Sequence, residues 1–176
     1  VRAVEDLIAR KVDVIAVVPN DAKALEPVFQ RAQAAGIKVL THESPDQKFN
    51  DWNVELTSVK GFGETHMEAL AEAMGGKGEY IVYVGSLTVP LHNKWADAAI
   101  ALQKEKYPDM KLVADRFGVA ESMDDSYKTA LDQMRANPNL KGILAFGSQG
   151  PIGAARAVEE RGKEQQIAVV GPFSPG

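Results

Sequence analysis

The residues best equipped for chemistry in this chain are few and scattered. His42, His66 and His92 stand on separate predicted elements with no H-x-x-x-H spacing, so no metal site is expected. Gly147-Ser148-Gln149-Gly150 follows a predicted strand and precedes a predicted helix, which invites comparison with the nucleophile elbow G-x-S-x-G. It lacks one position of that pattern, and no histidine follows Ser148 to complete the usual order. Gly61-Phe62-Gly63 looks like the start of a dinucleotide fingerprint, yet the third glycine position holds His66, so a helix-entry glycine pair is the expectation. The phosphate-cradling pattern G-x-x-x-x-G-K-[ST] does not occur. With no convergent nucleophile and base, the expectation is a binding protein without cofactor, not an enzyme.

Composition narrows the ligand. A formal net charge of −4, a pI near 5.4 and no run of Lys or Arg leave no electrostatic footprint for a phosphate backbone, so nucleic acid is not an expected partner. The absence of cysteine removes zinc ribbons, iron–sulfur clusters, thiol catalysis and disulfides together. The most continuous apolar run, residues 14–18, falls far short of the roughly 20 residues of a membrane helix.

The elements that must position these residues alternate along the chain. A helix under way from Val1 leads to a β-branched strand over 13–18, then a helix over 22–35 that Asp21 can cap and Gly36 can end. A second strand covers 37–40. Turn formers and scattered aromatics at 43–53 break the rhythm before a short extended segment at 54–57. Beyond it the spacing predicts helices over 62–74, 92–107, 124–135 and 151–161, with strands over 80–85, 112–117, 142–146 and 167–171. Such alternation implies crossover connections and parallel sheets with helices on both faces.

In open parallel sheets ligands bind beyond the carboxyl ends of the strands. The residues there are 19–21, 41–44, 86–93, 117–118, 146–150 and 172–174, and they supply carboxylate, hydroxyl, amide, imidazole and aromatic groups with hardly a positive charge. That set suits a polyhydroxy ligand. Glu43 reads either as a solvated turn carboxylate or as an acceptor for a sugar hydroxyl. His92 and Asn93 read as caps of the following helix or as ligand contacts, and Trp95 and Phe146 as core or as contacts.

The order of elements and the segments VDVIAVVPNDAKAL, AAGIKVLTHES, KYPDMKLV, NPNLKGILAF and IAVVGPFSPG together resemble the ribose-type periplasmic sugar-binding proteins of ABC transporters. The likeness covers essentially the whole chain. GSLTVPLHNKW is similar to the branch containing the autoinducer-2- and rhamnose-binding proteins. The resemblance implies an α/β fold of two doubly wound parallel-sheet lobes of the type I periplasmic binding protein class, joined by hinge strands and closing on a ligand in their cleft. Residues 1–52 would form the C-terminal part of lobe one, 53–58 a hinge crossover and 59–176 a nearly complete lobe two. Glu43 would stand where the family carries a strand-end Asp, and Leu91 and His92 where autoinducer-2 binders carry Asp-Gln. Phe146 and Ser148 would fall at contacts after the next strand, and Phe173 near a contact in the final turn. Asn93 completes the expected set. Replacement of Asp-Gln by Leu91-His92, and of the branch's Pro by Phe146, points away from autoinducer-2 to a different pentose, hexose, deoxysugar or polyol. The implied protein is a periplasmic monomer that captures a sugar or polyol for an ABC transporter permease. A repressor's effector domain of the same fold is the alternative, separable by a DNA-binding headpiece.

The opening in mid-helix and the stop at Ser174-Pro175-Gly176 lead to the expectation of a fragment with lobe one truncated. The strand over 14–18 should then be an edge, under-buried and unpaired on one side. Strands on both of its sides would point instead to a receiver-like single domain.

Overall fold

A computed structural model describes residues 1–173. The chain divides into two compact units, Val1–Ser58 with Thr88–Leu91, and Val59–Leu87 with His92–Gly176.

In the first unit, α1 (Arg2–Ala9), β1 (Val14–Val17), α2 (Ala22–Ala34), β2 (Lys38–His42) and β3 (Trp52–Val54) build a three-stranded parallel sheet of order β1-β2-β3. Asp21 caps α2, its Oδ1 accepting the Ala24 N–H at 3.0 Å. The helical spacing of Leu25, Val28, Phe29 and Ala32 turns one stripe onto Ile15 and Val39, and these residues form the unit's core. Gly36 ends the helix region at φ +82°, where an L side chain would be strained. Among the described residues β1 bonds to β2 alone and is an edge. Its residues alternate accordingly, with Val14 50% exposed and Ile15 2%. The extended segment expected at 54–57 lies at Trp52–Val54. Asp51 shifts it, because its carboxylate accepts the Val39 N–H at 2.8 Å and Lys38 Nζ at 2.9 Å and so fixes the approach to β2.

The second unit contains α3 (Val59–Met74), β4 (Gly78–Val84), α4 (Pro90–Lys106, from His92 onward), β5 (Met110–Leu112), β6 (Phe117–Gly118), α5 (Met123–Ala136), β7 (Leu140–Phe146), α6 (Gly150–Glu160) and β8 (Ala168–Val170). Its strands pair in parallel, in the order β5-β4-β7-β8, and β6 also pairs with β4. Tyr80 to Val84 and Ile143 to Phe146 are all fully buried. Continuous apolar runs of this kind belong to strands covered on both faces. From β4 the chain steps outward to β5, then returns to the other side of β4 as β7. The winding therefore reverses between β4 and β7, the place where sheets of this kind open a crevice beyond the carboxyl ends of their strands.

Two local expectations are corrected here. The single strand over 112–117 is two short strands, because Arg116 turns away from the ladder to bond Asn93 O at 3.1 Å and Asn93 Oδ1 at 3.0 Å on α4. The glycines at 61 and 63 are not a helix entry, since α3 starts at Val59. Gly63 serves packing: a Cβ there would stand 2.3 Å from Trp95 O, so its absence lets α3 and α4 approach closely.

Candidate ligand-binding site

At the β4–β7 reversal the sequence places an imidazole, a carboxylate and a hydroxyl. His92 lies in the first turn of α4, and its Nδ1 accepts the Gly85 backbone N–H at 3.0 Å. That bond fixes the neutral tautomer, so Nε2 carries the proton and is a donor. The ring is 5% exposed and stacks on Trp95 with centroids 5.2 Å apart and planes 14° apart. Trp95 in turn packs against Phe62 at 4.3 Å and Phe146 at 6.1 Å, and His66 lies 5.8 Å from Phe146. The Trp95 indole N–H is buried without a hydrogen-bond partner among the described residues. Its contribution is ring area and a rigid backing for His92.

Glu121, in the loop between β6 and α5, comes close to the same Gly85. Its Oε1 accepts the Ser148 N–H at 3.2 Å and its Oε2 the Ser148 Oγ–H at 2.9 Å. The turn that carries Ser148 is tied down further. Gly147 sits at φ +154°, and a Cβ there would stand 2.6 Å from that of Ala120. The Gln149 and Gly150 N–H groups both donate to Ala120 O, at 3.0 and 2.8 Å. The N–H groups opening α6 are thus spent on a carbonyl, and a carboxylate already occupies the turn, which leaves a phosphate no welcome there.

The expected residues distribute unevenly. His92, Phe146 and Ser148 gather at the reversal, but Phe146 is fully buried as the last residue of β7, and Leu91 is 1% exposed. Neither offers surface to a ligand; both support neighbours. His92 and Asn93 do not cap α4, which begins at Pro90. The Asn93 amide is committed to the protein, Nδ2 to Ser86 O at 3.1 Å and Oδ1 to Arg116, so it pins the loop after β4. Phe173 is 65% exposed and flanks a groove with Pro151, Ile152 and Val169. Ser174 and the stop at Ser174-Pro175-Gly176 lie outside the described residues. Glu121 lies past the end of its strand, so strand-end position does not single it out; an acid three residues past Gly118 is the available signal.

In the first unit, Glu43 follows β2 with φ +60°. A non-glycine residue held there by its surroundings marks a functional position in many sites. Its neighbour His42 donates Nδ1–H to Val54 O at 2.5 Å and approaches Glu43 Oε1 at 3.9 Å and Glu55 Oε2 at 3.6 Å. Thr41 Oγ1 donates to Asn53 Oδ1 at 2.9 Å, which also accepts the Ser44 N–H at 3.3 Å, while Asn53 Nδ2 donates to Glu55 Oε1 at 2.8 Å. The polar groups after β2 are therefore set in a network and not loose in solvent. Next to it, hydrogen bonds from the Val39 N–H and from Lys38 hold the Asp51 carboxyl down to about 2.

The model of the periplasmic binding protein domain family matches residues 1–173. The chain belongs to that family. Among its relatives is the xylitol-binding protein of Mycolicibacterium smegmatis, 29% identical over 172 residues, an alignment covering 91% of this chain and 46% of the relative. A solved structure, the ABC transporter solute-binding protein of Burkholderia graminis in complex with D-arabinose, is 31% identical with a TM-score of 0.83, covering 96% of this chain and 58% of that one. Another, from Clostridium phytofermentas with bound L-rhamnose, is 26% identical with a TM-score of 0.87, covering 96% of this chain and 53% of that one. The chain spans about half the length of the relatives it matches. The α/β architecture of parallel sheets expected from the sequence agrees with this family fold.

Proposed function

We propose that this chain is part of an extracytoplasmic solute-binding protein that captures a neutral sugar or polyol and delivers it to an ABC transporter permease. The observation that carries the reading is the chemistry of the strand ends. The groups after β2 in the first unit, Glu43 among them, and His92 in the second supply acceptors and a neutral donor, and Arg116 is spent on Asn93 and Asp97. Groups of this kind match hydroxyls, which both donate and accept, and they give no counter-charge to a phosphate or carboxylate ligand. The relatives named above, which bind xylitol, D-arabinose and L-rhamnose, support the same class. In this proposal residues 1–52 belong to one lobe, 53–58 to the crossover and 59–176 to the other, with a periplasmic location and no catalytic step. No observation favours a repressor's effector domain.

A thermal-shift and calorimetric screen of the full-length protein tests it. Xylitol, D-arabinose, L-rhamnose, D-ribose and D-xylose are the first panel, with sugar phosphates as the contrast. A ligand at 100 times its Kd stabilises the folded state by about 2.7 kcal/mol, which a melting curve resolves. Stabilisation by a neutral sugar or polyol is expected; stabilisation by sugar phosphates alone would sink the proposal.

A further inference from the structure

We infer that Glu121 is a ligand-binding carboxylate, pre-oriented by Ser148, and that it makes the site selective for uncharged hydroxyl-bearing ligands. The inference rests on the function proposed above and names a residue beyond the expected set. Three observations meet on it. First, Glu121 stands at the reversal between β4 and β7, where the crevice of a doubly wound sheet takes its ligand. Second, it lies beside His92: a Cβ on Gly85 would stand 3.0 Å from Glu121 Cγ and 2.7 Å from His92 Nδ1, so both side chains lean over the same bare α-carbon. An imidazole and a carboxylate then border one spot, which suits neighbouring hydroxyls of a polyol. Third, the carboxylate is held and still exposed. Ser148 occupies one lone pair on each oxygen through its N–H and its Oγ–H, while the residue stays exposed and each oxygen keeps further acceptor capacity. Because the turn beneath Ser148 is itself locked on Ala120 O, little ordering is left to be done when a ligand arrives.

A purely structural role would make Glu121 a brace for the turn after β7, and the two roles separate experimentally. The full-length protein, Glu121→Gln and Ser148→Ala are titrated calorimetrically with xylitol, D-arabinose and L-rhamnose, and their ligand-free melting temperatures are recorded. Gln keeps the size and one acceptor but removes the charge, so Glu121→Gln is expected to weaken binding of the preferred ligand by about tenfold or more, the range of a charge-assisted hydrogen bond. Ser148→Ala, which retains the N–H bond, should weaken it by a smaller factor. Both ligand-free proteins should melt close to the wild type. Binding by Glu121→Gln within twofold of the wild type overturns the inference, and so does a lowered melting temperature with unchanged affinity, which would make Glu121 a brace alone. Failure of the wild type to bind any of these probes strikes at the proposed function itself, whereas a binding wild type with an indifferent Glu121 strikes only here.

Discussion

His92 Nδ1 accepts the backbone N–H of Gly85 at 3.0 Å. This one bond joins the end of β4 to the first turn of α4 and decides which imidazole nitrogen can donate. Under the proposed function the two nitrogens have separable duties, one in the fold and one in ligand binding.

Replacement of His92 by its two amide analogues should split those duties. His92→Asn would place an oxygen near the Nδ1 position, keep the Gly85 bond and lose the outer donor, so stability should hold while sugar affinity falls about fivefold to tenfold. His92→Gln puts its amide at the Nε2 position and leaves the Gly85 N–H orphaned, at a cost of about 1–3 kcal/mol in stability. Denaturant unfolding and calorimetry of the two variants read the two effects; equal stability of both would remove the structural duty.

Gly85→Ala should damage binding more than folding. The added Cβ would stand 2.7 Å from His92 Nδ1 and 3.0 Å from Glu121 Cγ, so the imidazole and the carboxylate must both move aside. An affinity loss of about tenfold with a melting temperature only a few degrees lower is expected, since overpacking of this size costs about 1–3 kcal/mol. Undiminished affinity would show that neither side chain touches the ligand.

At Glu43, comparison of two variants isolates the backbone. Glu43→Ala and Glu43→Gly both remove the carboxylate, and both should weaken sugar binding by about 1.5–3 kcal/mol, as for a charge-assisted hydrogen bond. They differ in the cost of φ +60°, which alanine bears and glycine does not. Glu43→Gly should therefore be the more stable of the pair by about 1 kcal/mol. Equal unfolding midpoints would mean that the positive φ stores no strain.

Asp51 sets an acid limit on stability. Its carboxyl is held at about 2, below the ordinary 3.8, first by the Val39 N–H and then by Lys38. A depressed value in the folded state means that the unfolded chain takes up the proton first. The stabilisation is therefore complete above about pH 4 and is lost as pH falls toward about 2. Urea unfolding between pH 2 and 6 should show a steeper acid loss in the wild type than in Asp51→Asn; parallel curves would remove Asp51 from the account.

What the sequence determined by itself is the course of each element, because burial of one stripe or one strand is written locally. Leu25, Val28, Phe29 and Ala32 announce α2, the apolar runs of β4 and β7 announce strands covered on both faces, and Asp21 and Gly36 mark where a helix starts and stops. The strand-end position of Glu43 and His92 was legible for the same reason. Which polar groups meet depends on the three-dimensional arrangement of the loops. Ser148 finds Glu121 across 27 positions, and Arg116 finds Asn93 across 23, because the order β5-β4-β7-β8 brings their loops together. Those encounters break the strand expected at 112–117, commit the Asn93 amide to the protein and reveal Glu121. Phe146 was ambiguous for a related reason: a ring at a strand end is core or platform according to what α3 and α4 lay over it, and here Phe62, His66 and Trp95 enclose it. Periodicity reports which face of an element is buried; it carries no information about which distant side chain completes the burial or accepts the hydrogen bond.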